Sequence, residues 1–448
     1  MKKIDCAKMF SDYGTMLVLL LLCIGFSFVT LEEQSPTSAA AAQHLAKRIS
    51  DELSSTSNVI VLTRQGGDGE SFAAALKKNL TKAELNVVRT VVGQPADARK
   101  TLVKYGATEN KLAGIAADKH MANFCNANLI KLAETHPSLA KAKVYQPKTY
   151  RWPNFLKKDN LLNIMKQISV VAIIAIGMTM IIITAGIDLS VGSLIAFSGV
   201  IAALAIRGLG GDDPTLTHLW IGSLSGILIC GLVGLLSGGL VTLFGIPAFI
   251  ATLGIMFSAR GLAFIFAESE PIVVQNGAFG WLGRGRDIVG LPNSVILMLI
   301  LFATAHVLMT RTSIGRYIYA VGGNPEAARL SGVPVKWVLV FVYTLTGLLA
   351  GLGGVMEASL HVTGDPKAGN LVELQVIAAV VVGGTSLAGG QGKILGTLIG
   401  AFIIGVIRNG MNLTGVEAHM QSVVYGAVIL IAVIIDRLKS QGIRLRKQ

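Results

Sequence analysis

The chain has 448 residues, 52% apolar and 15% charged, with a mean hydropathy of +0.62 and a net charge of +13. This excludes an ordinary soluble protein of two or three domains and puts much of the chain in lipid. The charge does not point to nucleic acid: of 39 Lys and Arg, 19 fall between Leu31 and Leu161, and most others flank apolar runs, where they set topology.

Lys2, Lys3 and Lys8 precede an apolar run, Met16–Val29. It reads as a signal peptide, with Thr37–Ala42 as a small-residue cleavage region, or as an uncleaved first span. The later topology needs a span here, so an anchor is expected. Residues 32–150 then change character. Helical patterns over Ala39–Leu53, Glu70–Lys82, Ala96–Tyr105 and Lys119–Glu134 alternate with strand patterns over Asn58–Thr63, Asn86–Val92, Leu112–Ala116 and Lys143–Tyr145. That alternation predicts a small inserted α/β domain with a parallel sheet. Gln65-Gly66-Gly67-Asp68-Gly69 follows the first strand, where anions are often held, but the dinucleotide spacing is absent and a simple turn is the expectation.

From Leu161 onward the chain is apolar helix after apolar helix. A span needs about 20 apolar residues, and ten segments are threaded on that basis. They are Gly14–Leu31, Leu161–Ala185, Val191–Ala205, Leu219–Phe244, Pro247–Ala267, Ser294–Met309, Trp337–Ser359, Glu373–Ala388, Ile394–Met411 and Gln421–Ile435. With both ends inside, the inner pieces carry thirteen Lys and Arg: Lys2, Lys3, Lys8, Arg311, Arg316, Arg329, Lys336, Lys393, Arg437, Lys439, Arg444, Arg446 and Lys447. The short outer loops carry four, Arg207, Arg284, Arg286 and Lys367, which supports this orientation. The expected fold is an α-helical polytopic membrane protein of about ten spans. Residues 1–31 form the inner N-terminus and first span, 32–150 the external domain, 151–436 the membrane domain and 437–448 a basic tail. The third and eighth segments are short enough to be broken or re-entrant. Cys23 and Cys230 lie in apolar runs, Cys6 in the tail and Cys125 alone in the external domain, so no disulfide is expected.

Three features stand apart from plain apolar helix. Gly186–Ser193 breaks one run into two, and Asp188 or Ser190 there caps the following helix or, on a sharper reading, Asp188 lines a pathway. Arg260 and Glu357 fall inside spans and either face a polar path, pair with each other or snorkel to the surface. The stretch Thr310–Lys336 is too polar for lipid and contains a short helix, Pro325–Leu330, with Asn324 as its cap and Gly332 at its end. Gly347 with Gly351, Gly234 with Gly238, and Gly396 with Gly400 are small residues four apart, suited to close helix packing.

Ile183–Ser198 (ITAGIDLSVGSLIAFS), Gly315–Gly332 (GRYIYAVGGNPEAARLSG) and Gly383–Gly390 (GGTSLAGG) resemble the permease subunits of monosaccharide ABC importers, the ribose, xylose and galactose group, and the ribose permeases in particular. The resemblance covers the first span and everything from about Trp152. Residues 32–150 depart from it, since the family ordinarily has a short external connection there. The resemblance implies a non-catalytic inner-membrane permease, multi-pass with both termini cytoplasmic, working as a homodimer by alternating access. It implies a separate cytoplasmic ATPase, usually with tandem nucleotide-binding domains, that binds the ATP and Mg, and a periplasmic sugar-binding protein that delivers the monosaccharide. Gly315, Arg316, Gly322, Gly323, Asn324, Pro325, Glu326, Ala327, Ala328 and Arg329 would then form the ATPase-coupling region, and Asp188, Arg260 and Glu357 candidates for the translocation pathway. The chain has no phosphate-binding loop of its own: at Gly392-Lys393, Ile394 stands where Ser or Thr belongs. No metal or cofactor is expected on this chain. The external domain looks similar to one lobe of a periplasmic sugar receptor, and one lobe has no opposing wall, so it is expected to contact the binding protein or cap the outer mouth. A secondary transporter or channel, or a membrane-tethered periplasmic sensor, remain as alternatives.

Overall fold

The computed structural model describes residues 6–440 other than 109, 288 and 289. Lys2, Lys3 and the tail residues Arg444, Arg446 and Lys447 lie outside the described residues. The chain divides into two compact units: the part up to Thr30 together with the part from Asn154, and Leu31–Pro153. Helix α1 (Cys6–Val29) begins the first unit and carries the apolar stretch Gly14–Val29. At its end the Thr30 carbonyl accepts the Asn154 amide at 2.9 Å, and the Thr30 hydroxyl oxygen accepts the Phe155 amide at 3.1 Å.

The second unit runs β1 (Leu31–Gln34), α2 (Ala39–Glu52), β2 (Asn58–Arg64), α3 (Gly69–Lys82), β3 (Asn86–Gly93), α4 (Pro95–Gly106), β4 (Gly114–Ala117), α5 (Lys119–Thr135), β5 (Lys143–Tyr145) and β6 (Tyr150–Pro153). Four strands form a parallel sheet in the order β3-β2-β4-β5. In β2 the run Val59–Leu62 is wholly buried, as a central parallel strand covered on both faces must be. Val59 and Val61 pack with α2 and α3, whereas Ile60 and Leu62 pack with α4 and α5. Gly66 and Gly67 have φ of +96° and +58°, so the Gln65–Gly69 stretch is a turn that needs glycine. Burial, with Asp118 adding to it, pushes the Cys125 thiol up to about 12, which leaves it inert.

Strands β1 and β6 make an antiparallel ribbon, Leu31 opposite Pro153 and Gln34 opposite Tyr150, that the sequence did not announce. Leu31-Glu32-Glu33-Gln34 lacks strand alternation, and its pairing depends on a partner 116 or more residues away. Lys119 holds it to α5 through Glu33 at 3.1 Å.

The first unit continues with α6 (Lys158–Ile183), α7 (Val191–Gly210), α8 (Leu216–Leu243), α9 (Ala248–Phe266), β7 (Ile272–Val273), α10 (Trp281–Arg284), α11 (Asn293–Arg311), α12 (Ser313–Gly323), α13 (Pro325–Leu330), α14 (Val335–His361), β8 (Thr363–Gly364), α15 (Val372–Val382), α16 (Ile394–Leu413) and α17 (Ala418–Ser440). Among the described residues seven helices, α6, α7, α8, α9, α11, α14 and α16, are long and apolar enough to cross a membrane. Three shorter apolar helices accompany them, Gly14–Val29, Val372–Val382 and Ala418–Ile434. Helix α6 is central, with 83% of its apolar window buried, against 33% for α8 and 28% for α9. Helices α8 and α14 touch through glycine: Gly234 and Gly347 are in backbone contact, and a Cβ on either would meet a carbonyl of the other helix.

Two stretches of non-helical backbone lie among the apolar helices, partly buried: Thr184, Asp188, Ser190, Gly364 and Pro366 are buried, whereas Ala185 and Lys367 are exposed. Thr184–Ser190 leaves the end of α6 and turns back inward, so that Gly186 lies beside Ile181 and the Tyr343 hydroxyl. Beyond α14 the chain doubles back along α7. Gly364 lies against Gly199 and Ala203, and Gly369 against Gly192 and Ile195. Seven helical residues separate those contacts, about 10 Å at 1.5 Å per residue. Helix α15 therefore starts well inside the span of α7, and it stops at Val382, short of the Ala388 expected from sequence. The other short segment, Val191–Ala205, is instead a full helix reaching Gly210.

Candidate coupling and translocation site

The polar stretch after α11 folds as two short helices at right of capping signals in the sequence. The Thr312 hydroxyl accepts the Gly315 amide at 3.3 Å, and a Cβ on Gly315 would run into the Leu308 and Met309 carbonyls. Asn324 caps α13 by accepting the Ala327 amide at 3.0 Å, Pro325 occupies the first position, and Gly332 leaves at φ +86°. Ala328 is turned inward, while Pro325, Glu326, Ala327 and Arg329 are exposed. Glu326 and Arg329 pair with each other at 3.0 Å. Leu330 is 78% exposed, an apolar side chain at the end of the short helix, one residue beyond the coupling set Gly315–Arg329 expected from sequence.

The inner end of α12 is anchored by backbone. A Cβ on Gly322 would collide with the Ile183 carbonyl oxygen and lie 2.7 Å from the Gly390 nitrogen. Gly390 donates its amide to the same Ile183 oxygen at 2.8 Å. The Tyr319 hydroxyl donates to the Gly392 carbonyl at 2.8 Å. Arg316 and Gly323 are exposed.

Asp188 is only 1% exposed, and its Oδ1 accepts from the Ser190 amide at 2.8 Å and the Ser190 hydroxyl at 2.6 Å. It thus serves the cap residue of α7 rather than the amides of the helix's first turn. The Thr252 hydroxyl of α9 holds the same segment, accepting from the Leu189 amide at 3.2 Å and donating to the Ile187 carbonyl at 3.3 Å. Ile187 and Leu189 on either side of Asp188 are half-buried. The Tyr343 hydroxyl beside Gly186 and the Thr385 hydroxyl beside Gly392 are buried without a hydrogen-bond partner. Nothing in the sequence marked Thr252 or Tyr343, since each lies on another helix.

Arg260 and Glu357, weighed as partners, do not pair. Arg260 donates to the Pro366 and Ala368 carbonyls at 3.1 and 2.6 Å, which ties the doubled-back segment to α9. Glu357 lies 3.5 Å from His361 one turn along its own helix, an ion pair only when that histidine is protonated. Besides the buried Asp188, the half-buried carboxylate of Glu373 packs against Gly192 at the start of α7.

The ribose import permease RbsC of Escherichia coli K12 is 44% identical over 291 residues, 64% of this chain and 88% of the relative. The Bacillus subtilis protein of that name is 44% identical over 290 residues, again 64% and 88%. The D-allose transport system permease AlsC of Escherichia coli K12 is 38% identical over 288 residues, 64% and 86%. No solved structure matches the chain significantly. Residues 160–433, which include both non-helical stretches and the α12–α13 loop, match the family described as the permease component of the branched-chain amino acid transport system, and the chain belongs to that family of membrane permeases.

Proposed function

We propose that the chain is the permease subunit of an ATP-driven importer that carries a ribose-like monosaccharide across the bacterial inner membrane. It has no catalytic role; a separate ATPase, with ATP and Mg on its two nucleotide-binding domains, supplies the energy. The observation that carries the reading is α13: a capped six-residue helix on a polar loop with Leu330 exposed at its end, shaped to enter a groove on a partner. Two copies would enclose the pathway between them, each with ten spans, both termini in the cytoplasm and residues 31–153 in the periplasm, facing a sugar-binding protein. The relatives' names support the sugar class, and ribose is the favoured substrate.

The test is reconstitution with the cognate ATPase and binding protein and ATP-dependent uptake of radiolabelled ribose. Leu330→Asp is expected to cut ATPase co-purification and uptake at least tenfold while the permease stays inserted, because a desolvated apolar anchor dominates a small interface. Full co-purification with Leu330→Asp would remove α13 as the docking element.

A further inference from the structure

We propose that the junction of Gly322, Ile183 and Gly390 hands the movement of α13 to the segment Thr184–Ser190, which makes Gly322 a positioning residue for transport. This rests on α13 being the ATPase-docking helix. At the junction three backbones meet with no side chain between them. The Gly322 position is filled by the Ile183 carbonyl, Gly390 donates to that same oxygen, and a Cβ on Gly389 would lie 2.8 Å from the Gly322 oxygen and 2.9 Å from Ala185. Side-chain layers absorb small displacements by changing rotamer; a backbone contact has none to change. A shift of α12 and α13 therefore reaches the peptide at the end of α6 directly.

What lies beyond Ile183 is able to move. Thr184, Ala185 and Gly186 still donate back to the Met180, Ile182 and Ile181 carbonyls, but Ile187, Asp188 and Leu189 lie outside any helix, and Ala185 sits at φ +61°. Thr252 of α9 holds the segment's middle chiefly by accepting the Leu189 amide, since its own proton has the nearer Ala248 carbonyl at 2.9 Å. Beside the segment, at Gly186, Tyr343 has a buried hydroxyl without a partner, a cost of about 1–3 kcal/mol. An arrangement of the segment that gives that hydroxyl a partner or water would recover that cost, so a second position is energetically accessible. A merely structural glycine would affect the amount of folded protein and not the coupling between ATP and sugar.

The experiment uses the full-length chain with its four native cysteines changed to alanine and Ser190→Cys added as a reporter, since Ser190 is wholly buried. Labelling by a water-soluble maleimide is followed in membrane vesicles. Gly322→Ala is expected to speed labelling at least tenfold, and Tyr319→Phe, which adds no atom and removes only the tie to Gly392, a few-fold. Gly239→Ala, where a Cβ would meet nothing within 4 Å, is expected to match the parent. On the reporter-free protein with its ATPase, ribose imported per ATP hydrolysed should fall in the same order, with KM for ribose unchanged. Parental labelling rates in both Gly322→Ala and Tyr319→Phe would overturn the proposal. So would parental coupling ratios in both. If Gly322→Ala fails to accumulate, Tyr319→Phe decides on the same two readings. Absence of ribose uptake by the wild-type complex would instead dismiss the sugar reading, and the labelling result would still stand or fall by itself.

Discussion

Arg260 directs its guanidinium at two main-chain carbonyls, and that choice explains why a cation is tolerated in an otherwise apolar helix. The doubled-back chain between α14 and α15 has carbonyls with no helical donor, and Arg260 serves Pro366 and Ala368. Arg260→Met keeps most of the volume and removes the donors. Each orphaned carbonyl costs about 1–3 kcal/mol, so thermal denaturation in detergent is expected several degrees lower, and Arg260→Lys should recover part of the loss. The sequence flagged Arg260 as an unusual charge but could not name its partners, because carbonyl acceptors leave no trace in residue type. Glu33 gives a residue-scale prediction for the other unit. The hydrogen bond and charge of Lys119, then the Thr149 hydroxyl, hold its carboxyl below the usual range. A carboxyl depressed in the folded state contributes stability that is present above the ordinary value of about 4.3 and lost as pH falls through the depressed one. Protection of the β1 amides, taken relative to the intrinsic exchange rate at each pH, should therefore fall on acidification below pH ~4.3, and Glu33→Gln should remove that fall.

At the scale of elements, glycine contacts decide which helices pair. Gly234 and Gly239 are one turn and a little apart on α8, yet a Cβ at the first would strike the Tyr343 carbonyl and at the second would meet nothing within 4 Å. Gly234→Val is expected to destabilise by about 1–3 kcal/mol, as overpacking typically does, and Gly239→Val by much less; melting of the two purified variants compares them directly. The small-residue spacing and the capped α13 were legible because their determinants sit within five residues of one another. The same holds for the strands and helices of the α/β unit, whose periodicity is local. The start of α15 was legible to within a residue, Glu373 against Val372, but its end was not. Val372–Val382 and the loop after it form one apolar stretch in sequence, and the turn through Gly384 at φ +91° stops the helix six residues before Ala388. The β1–β6 ribbon was also missed, a polar segment paired across the whole insertion.

At the scale of the whole molecule, each unit closes its own ends. Leu31 faces Pro153 in the ribbon, and on the membrane side Thr30 binds the amides of Asn154 and Phe155. Joining Thr30 to Asn154 through a two-residue Asn-Gly turn should leave the membrane unit inserted and its ATPase bound. On the proposal that the domain meets a sugar-binding protein, its tether would raise the local concentration of that partner, and the excised form is expected to show roughly tenfold higher KM for delivered ribose; wild-type KM would leave the insertion without a role in delivery.

The ribbon also imposes a delay. Its two strands are separated by the whole insertion, 31 to 153, and at about 5–20 residues per second of synthesis roughly 6–25 s pass between the emergence of α1 and that of β6. Helix α1 finds its packing partner later still, when α16 arrives with Gly410 to receive Phe26. For that interval a helix with a short apolar stretch waits without its α16 partner, while every residue of the α/β unit is made ahead of the later apolar helices.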